Sequence, residues 1–183
     1  MSVTPESFRR KAALCVGLVS IYGLTLVLFG RPLPFDALVV ALCLIPLSLW
    51  VTLQDLKDFT IPNMAVLLIV GLGIIANIQF SPDMFLFNAV AGLVVLALFG
   101  TIGAVLFRVK GVDALGFGDA KLIAACSLLC GVAALPTLLL IASLGGIVVG
   151  LIQLKLGRAS GVAFGPYIVF ANFLVWLTGP IHF

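Results

Sequence analysis

A chain of 183 residues that is 63% hydrophobic and only 9% charged is not a water-soluble domain, because soluble domains carry about 25% charged residues. Its net charge of +3 does not signal a nucleic-acid partner, since nearly all the basic residues flank apolar runs, where membrane topology explains them. No polar stretch exceeds about a dozen residues, so residues 1–183 are expected to form a single membrane-embedded domain with lipid around it.

Crossing the hydrocarbon core as a helix takes about 20 apolar residues, with a range of about 17 to 25. Arg9, Arg10 and Lys11 precede the first such run, Ala12 to Phe29. That opening has the form of a signal peptide, but no small-residue cleavage site follows, so it reads as a retained span. Ala37 to Leu53 forms the second run, and the polar stretch "QDLKDFTIPN" (54–63) connects it to the third, Pro62 to Phe80. Met84 to Phe107 is the fourth, followed by "VDALGFGDAK" (112–121). The fifth run, Ala120 to Leu135, is short, and Pro136 either opens the sixth helix, Pro136 to Leu154, or kinks one long helix. Val162 to Leu177 is the seventh. The expected fold is an all-α polytopic membrane protein of about seven transmembrane helices.

Charge bias sets the orientation. With a cytoplasmic N-terminus and seven alternating spans, Arg9, Arg10, Lys11, Lys57, Arg108, Lys110, Lys121, Lys155 and Arg158 lie inside and only Arg31 lies outside. A re-entrant fifth segment would invert everything after it. The seven-span assignment also puts both acidic loops at the cytoplasmic face.

In the first of these loops Pro62 suits the start of a helix, and the residue before it is pushed from helical geometry, so the turn is tight. Asp55 falls at the cytoplasmic end of span two and Asp58 on the loop. In the second, Gly116 and Gly118 free the backbone to turn, and Asp119 falls at the cap or first turn of span five. Helix capping accounts for Asp119 equally well, and interfacial charges balancing Lys57 account for Asp55 and Asp58. Together, two carboxylates at one membrane face could meet as a dyad that holds one shared proton, because two close like charges cannot both ionise cheaply. The ionised partner would deprotonate water while the protonated one binds the scissile carbonyl, a chemistry that needs no metal or cofactor. Burial would raise the pair's pKa values, and the helix N-terminus and Lys121 would lower that of Asp119.

Several other residues have plain structural readings. Cys15, Cys43, Cys126 and Cys130 lie inside apolar runs, make no CxxC pair and read as packing residues. Ala142, Gly146 and Gly150 repeat every four residues and suit close helix packing within the bundle, or between two copies in a homo-oligomer. Trp50 and Trp176 read as interfacial anchors, and Asn77, Gln79, Asn88 and Asn172 as helix-to-helix hydrogen-bonding groups. His182 carries no assigned role.

"GFGD" followed by "AKL", Asp55 with "IPN" downstream, and "VAFGPYIVFAN" (162–172) resemble three blocks of the prepilin peptidases, membrane aspartic peptidases with a GxGD motif. The resemblance runs from about residue 45 to 175, which leaves 1–36 as an extra N-terminal span. It implies Asp55 and Asp119 as the catalytic pair, and Gly116, Gly118, Lys121, Asp113, Pro62, Asn63, Gly165 and Pro166 as loop-shaping or substrate-binding residues. Asp58 has no counterpart in the pattern, and Ala163 stands where the family often has proline. The implied substrate is a prepilin-like precursor with a short basic leader and an apolar helix, cut at the cytoplasmic face of a prokaryotic inner membrane. Larger members also N-methylate the new N-terminus and carry an insert with paired CxxC motifs; without that insert, the chain resembles the stand-alone peptidase type. Presenilin-like GxGD proteases share the motif but usually have tyrosine before the first aspartate and a late Pro-Ala-Leu, whereas Gln54 precedes Asp55 here. A small proton- or cation-coupled transporter would instead place its carboxylates near the bilayer midplane.

Overall fold

The structure is a computed structural model that describes residues 5–29, 33–110, 116–157 and 161–179, with side chains described from residue 13 onward and for all of these except Lys110. Among the described residues seven α-helices follow in chain order: α1 (Pro5–Phe29), α2 (Phe35–Asp58), α3 (Asn63–Phe80), α4 (Phe85–Lys110), α5 (Phe117–Cys130), α6 (Leu135–Lys155) and α7 (Gly165–Thr178). Short 3-10 turns at Pro82–Met84 and Val132–Ala134 join α3 to α4 and α5 to α6. α2, α3, α4 and α6 are long and apolar enough to cross a bilayer, and α1 and α7 contribute shorter apolar stretches.

The boundaries differ from the sequence reading where tertiary contacts extend or cut a helix. α2 runs five residues past the expected Leu53, so Asp58 is its last residue rather than part of a loop. Pro62 caps α3 instead of opening it, and its carbonyl accepts the Val66 N–H at 3.2 Å. Pro136 stands in the first turn of α6, which makes α5 and α6 separate helices, with Gly131 (φ 82) turning the chain between them.

At 14 residues α5 is only about 21 Å long, short of the roughly 30 Å hydrocarbon core. It nevertheless traverses the bundle and does not re-enter. Its first turn lies beside Asn63 at the start of α3, and its last residues lie against Gly73 and Asn77 near the end of α3. Every residue of α5 from Leu122 to Leu129 is buried, so α5 is the central post around which α3, α4 and α7 pack. No apolar contrast with lipid drives this association, which depends on close packing and on polar groups paired between helices.

Those pairs are specific. Asn77 Nδ2 donates to Gly73 O at 2.8 Å and Leu128 O at 2.7 Å, and its Oδ1 accepts Asn88 Nδ2 at 2.7 Å, which ties α3, α4 and α5 together. Cys130 Sγ donates to Asn172 Oδ1 at 3.3 Å, joining α5 to α7. Trp176 Nε1 donates to Ala37 O at 3.1 Å, so this indole fastens α7 to α2. Tyr22 is buried, hydrogen-bonds Ser48 and Thr52 and packs edge-on against Phe173, which docks α1 onto α2 and α7. Ala142 is fully buried, Gly146 meets the Phe164 ring and Gly150 meets Val162, so this repeat serves packing of α6 within the bundle.

Candidate active site

Asp55 sits one turn before the end of α2, and Asp119 is the third residue of α5. The two helices arrive from different parts of the chain, yet both carboxylates line one cavity of about 380 Å³ with Phe59, Thr60, Ile61, Asn63, Gly116, Phe117, Gly118 and Lys121. Two segments far apart in the sequence thus bring their carboxylates onto one cavity.

Each carboxylate is held by a backbone amide. Gly165, the first residue of α7, donates its N–H to Asp55 Oδ2 at 2.8 Å across 110 residues of chain. The next residue, Pro166, has no N–H, so Asp55 takes the amide that α7 offers at its positive end. A Cβ on Gly165 would lie 2.8 Å from Asp55 Oδ2 and 3.2 Å from its Cγ, which makes glycine a steric requirement here. On the other side Asp119 reaches back to the Gly116 N–H, the second half of a capping box. Burial and then the Asp55 charge push the Asp119 carboxyl up to about 6, against the pull of the Gly116 bond.

The glycines of "GFGD" earn their places by crowding. A Cβ on Gly118 would stand 3.3 Å from Ile61 Cβ, so the two acidic loops touch there; one on Gly116 would stand 3.3 Å from Asp119 Oδ2.

Lys121 behaves differently from the expectation. Its Nζ donates to Asn63 Oδ1 at 2.7 Å and lies 5.0 Å from the centre of the Phe117 ring. Its hydrogen bond thus goes to the start of α3 rather than to Asp119. Pro62 caps the same helix, so "IPN" and the lysine together fix α3 against α5. Asp58 is exposed and pairs with its neighbour Lys57 at 3.2 Å. Asp113 lies outside the described residues, as does His182.

Gly100 of α4 lies beside Phe117, and α4 continues to Arg108, two turns or about 12 Å further along its axis. Gly146 of α6 lies beside Phe164, and α6 continues to Lys155. α4 and α6 thus run on past their contacts with Phe117 and Phe164 to basic ends.

Sequence reasoning did not single out Phe59, Ile61 or Phe117. Ile61 and Phe117 fall inside quoted motifs but gave no chemical signal, and Phe59 carries one only through its backbone conformation.

Residues 38–151 match the type IV leader peptidase family. Among similar proteins are three named prepilin leader peptidase/N-methyltransferase. The one from Escherichia coli K12 is 32% identical over 157 residues, which cover 80% of this chain and 67% of that protein. The one from Pectobacterium carotovorum is 36% identical over 74% of this chain and 50% of its own length. The one from Pseudomonas aeruginosa PAO1 is 36% identical over 70% and 45%. The chain thus spans about half to two thirds of the length of these curated relatives. No solved structure matches it.

Proposed function

The chain belongs to the type IV leader peptidase family, and from that premise we propose that it is a membrane aspartic endopeptidase that removes the short basic leader of prepilin-like precursors at the cytoplasmic face of the inner membrane. The observation that carries the reading is the cavity shared by Asp55 and Asp119.

The two carboxyls share one proton, and because the Gly165 N–H favours the charged form of Asp55, the reading starts with that proton on Asp119. Asp119 donates a hydrogen bond to the scissile carbonyl while Asp55 takes a proton from water. The water oxygen bonds to the carbonyl carbon, and the carbonyl oxygen takes the Asp119 proton, giving a neutral gem-diol. Collapse returns a hydroxyl proton to Asp119, the C–N bond breaks, and the Asp55 proton passes to the leaving amine. The pair is restored, and its two carboxyls suffice for the proton traffic. Lys121, Asn63 and Pro62 hold the walls, and Gly116, Gly118 and Gly165 keep the space that the carboxyls occupy.

The test is cleavage of a prepilin-like substrate in membranes by the wild type and by Asp55→Asn, Asp58→Asn and Asp119→Asn at matched expression. Cutting is expected to vanish at 55 and 119 and to survive at 58. Equal activity in all four would reduce Asp119 to a helix cap and end the dyad reading.

A further inference from the structure

Phe59 closes α2 with φ 51 and ψ 36, and it is the one non-glycine residue with positive φ among the described residues. In that left-handed geometry Cβ crowds the backbone, which is why chains usually place glycine or asparagine at the position. The backbone task is ordinary: the Phe59 N–H donates to Asp55 O at 3.0 Å and ends the helix. Glycine would do this without strain. A phenylalanine kept in a strained position beside two carboxylates therefore points to a use for its ring.

Core packing is not that use, since Phe59 is 59% exposed. Its ring instead lines the cavity of Asp55 and Asp119, with Cε1 3.8 Å from where a Cβ on Gly161 would stand. The same cavity is lined by Phe117, 63% exposed, whose ring is steadied by the Lys121 ammonium. Two exposed rings thus belong to a cavity that is otherwise largely polar. A membrane-interface anchor would stand at the level of the basic helix ends. Phe59 stands two residues past Lys57 at the end of α2, but an anchor needs no left-handed backbone and does not account for Phe59 lining the cavity of Asp55 and Asp119.

We propose that Phe59 is a specificity-determining residue whose ring, with that of Phe117, grips an apolar side chain of the substrate next to the scissile peptide. The proposal rests on the leader-peptidase reading, and it gives the strained turn a use, since the left-handed residue is one that lines the cavity.

The experiment compares wild type, Phe59→Gly and Phe59→Tyr in vesicles, reading KM, kcat and thermal stability. Phe59→Gly relieves the strain, so it is expected to be at least as stable as wild type, yet to lose about tenfold or more in kcat/KM, chiefly through KM. Phe59→Tyr keeps the ring and is expected to cleave like wild type. In the Asp55→Asn background, a photoreactive p-benzoylphenylalanine at position 59 is expected to crosslink the bound substrate beside its cleavage site. Wild-type cleavage by Phe59→Gly overturns the proposal, as does crosslinking to lipid alone. Loss of stability in step with activity also overturns it, by making the ring structural. A wild type that cuts no prepilin-like substrate is a separate outcome, which overturns the peptidase reading and takes this proposal with it.

Discussion

Gly165→Ala is the most demanding probe of the site, because it adds one carbon at the place where the end of α2 meets the start of α7. The new Cβ would stand 2.8 Å from Asp55 Oδ2, a separation that real Cβ atoms essentially never show. Asp55 is buried on a helix packed along α7, so it can give way only by rotating its carboxylate off the Gly165 N–H. A hydrogen bond to a charged acceptor is worth about 1.5–3 kcal/mol. If that loss falls on the catalytic form of the pair, cleavage slows by about 10- to 150-fold. Helix propensity slightly favours alanine over glycine, so the folded protein is expected to survive. The assay is single-turnover cleavage in vesicles at matched expression. Gly71→Ala, where nothing lies within 4 Å of the added carbon, serves as the control for handling and insertion. A Gly165→Ala enzyme within about threefold of wild type would refute the argument that this amide governs Asp55.

Gly118→Ala is expected to slow cleavage by pressing on Ile61, and Ile61→Ala in the same chain to restore part of it; a double-mutant cycle showing additive losses would mean that the two loops do not touch. Asn77→Leu removes donors from Gly73 O and Leu128 O and strands Asn88, so thermal unfolding in detergent should report a loss of about 1–3 kcal/mol, while activity per folded molecule stays unchanged. The rate should fall as pH rises through the Asp119 value of about 6, since above it both carboxyls ionise and the general acid is lost; a flat profile from pH 5 to 8 would rule out Asp119 as the proton holder. Lys121→Met is expected to weaken cleavage by freeing Asn63 while leaving that alkaline limb in place; a shifted limb would mean that the ammonium acts on Asp119 directly.

Much of the architecture was legible in the sequence because lipid imposes a strict local rule. A backbone in hydrocarbon must satisfy its own hydrogen bonds, so apolar length alone marks the helices, and seven expected spans correspond to α1–α7. The two acidic stretches stood out for the same reason, as carboxylates and glycines between runs that tolerate few of either. Helix ends were read less well. α2 outran its apolar run, carrying Asp55 and Asp58 on the helix, because its last turn packs beside the start of α7.

What the sequence could not decide depends on which residues meet after folding. That Asp55 takes its amide from Gly165, 110 residues away, follows from the antiparallel packing of α2 and α7, and no local pattern encodes that distance. Lys121 two residues from Asp119 invited an electrostatic reading along the chain, yet Asn63 of α3 is the partner that its long side chain reaches. The left-handed backbone of Phe59 has no signal in the sequence, because it is a property of the turn and not of the residue type. Composition and apolar run length determined that this chain is a set of membrane helices, and charge bias placed its two acidic stretches at one expected face. Packing, which acts between segments distant in sequence, decided that their carboxylates share one cavity and which amides hold them.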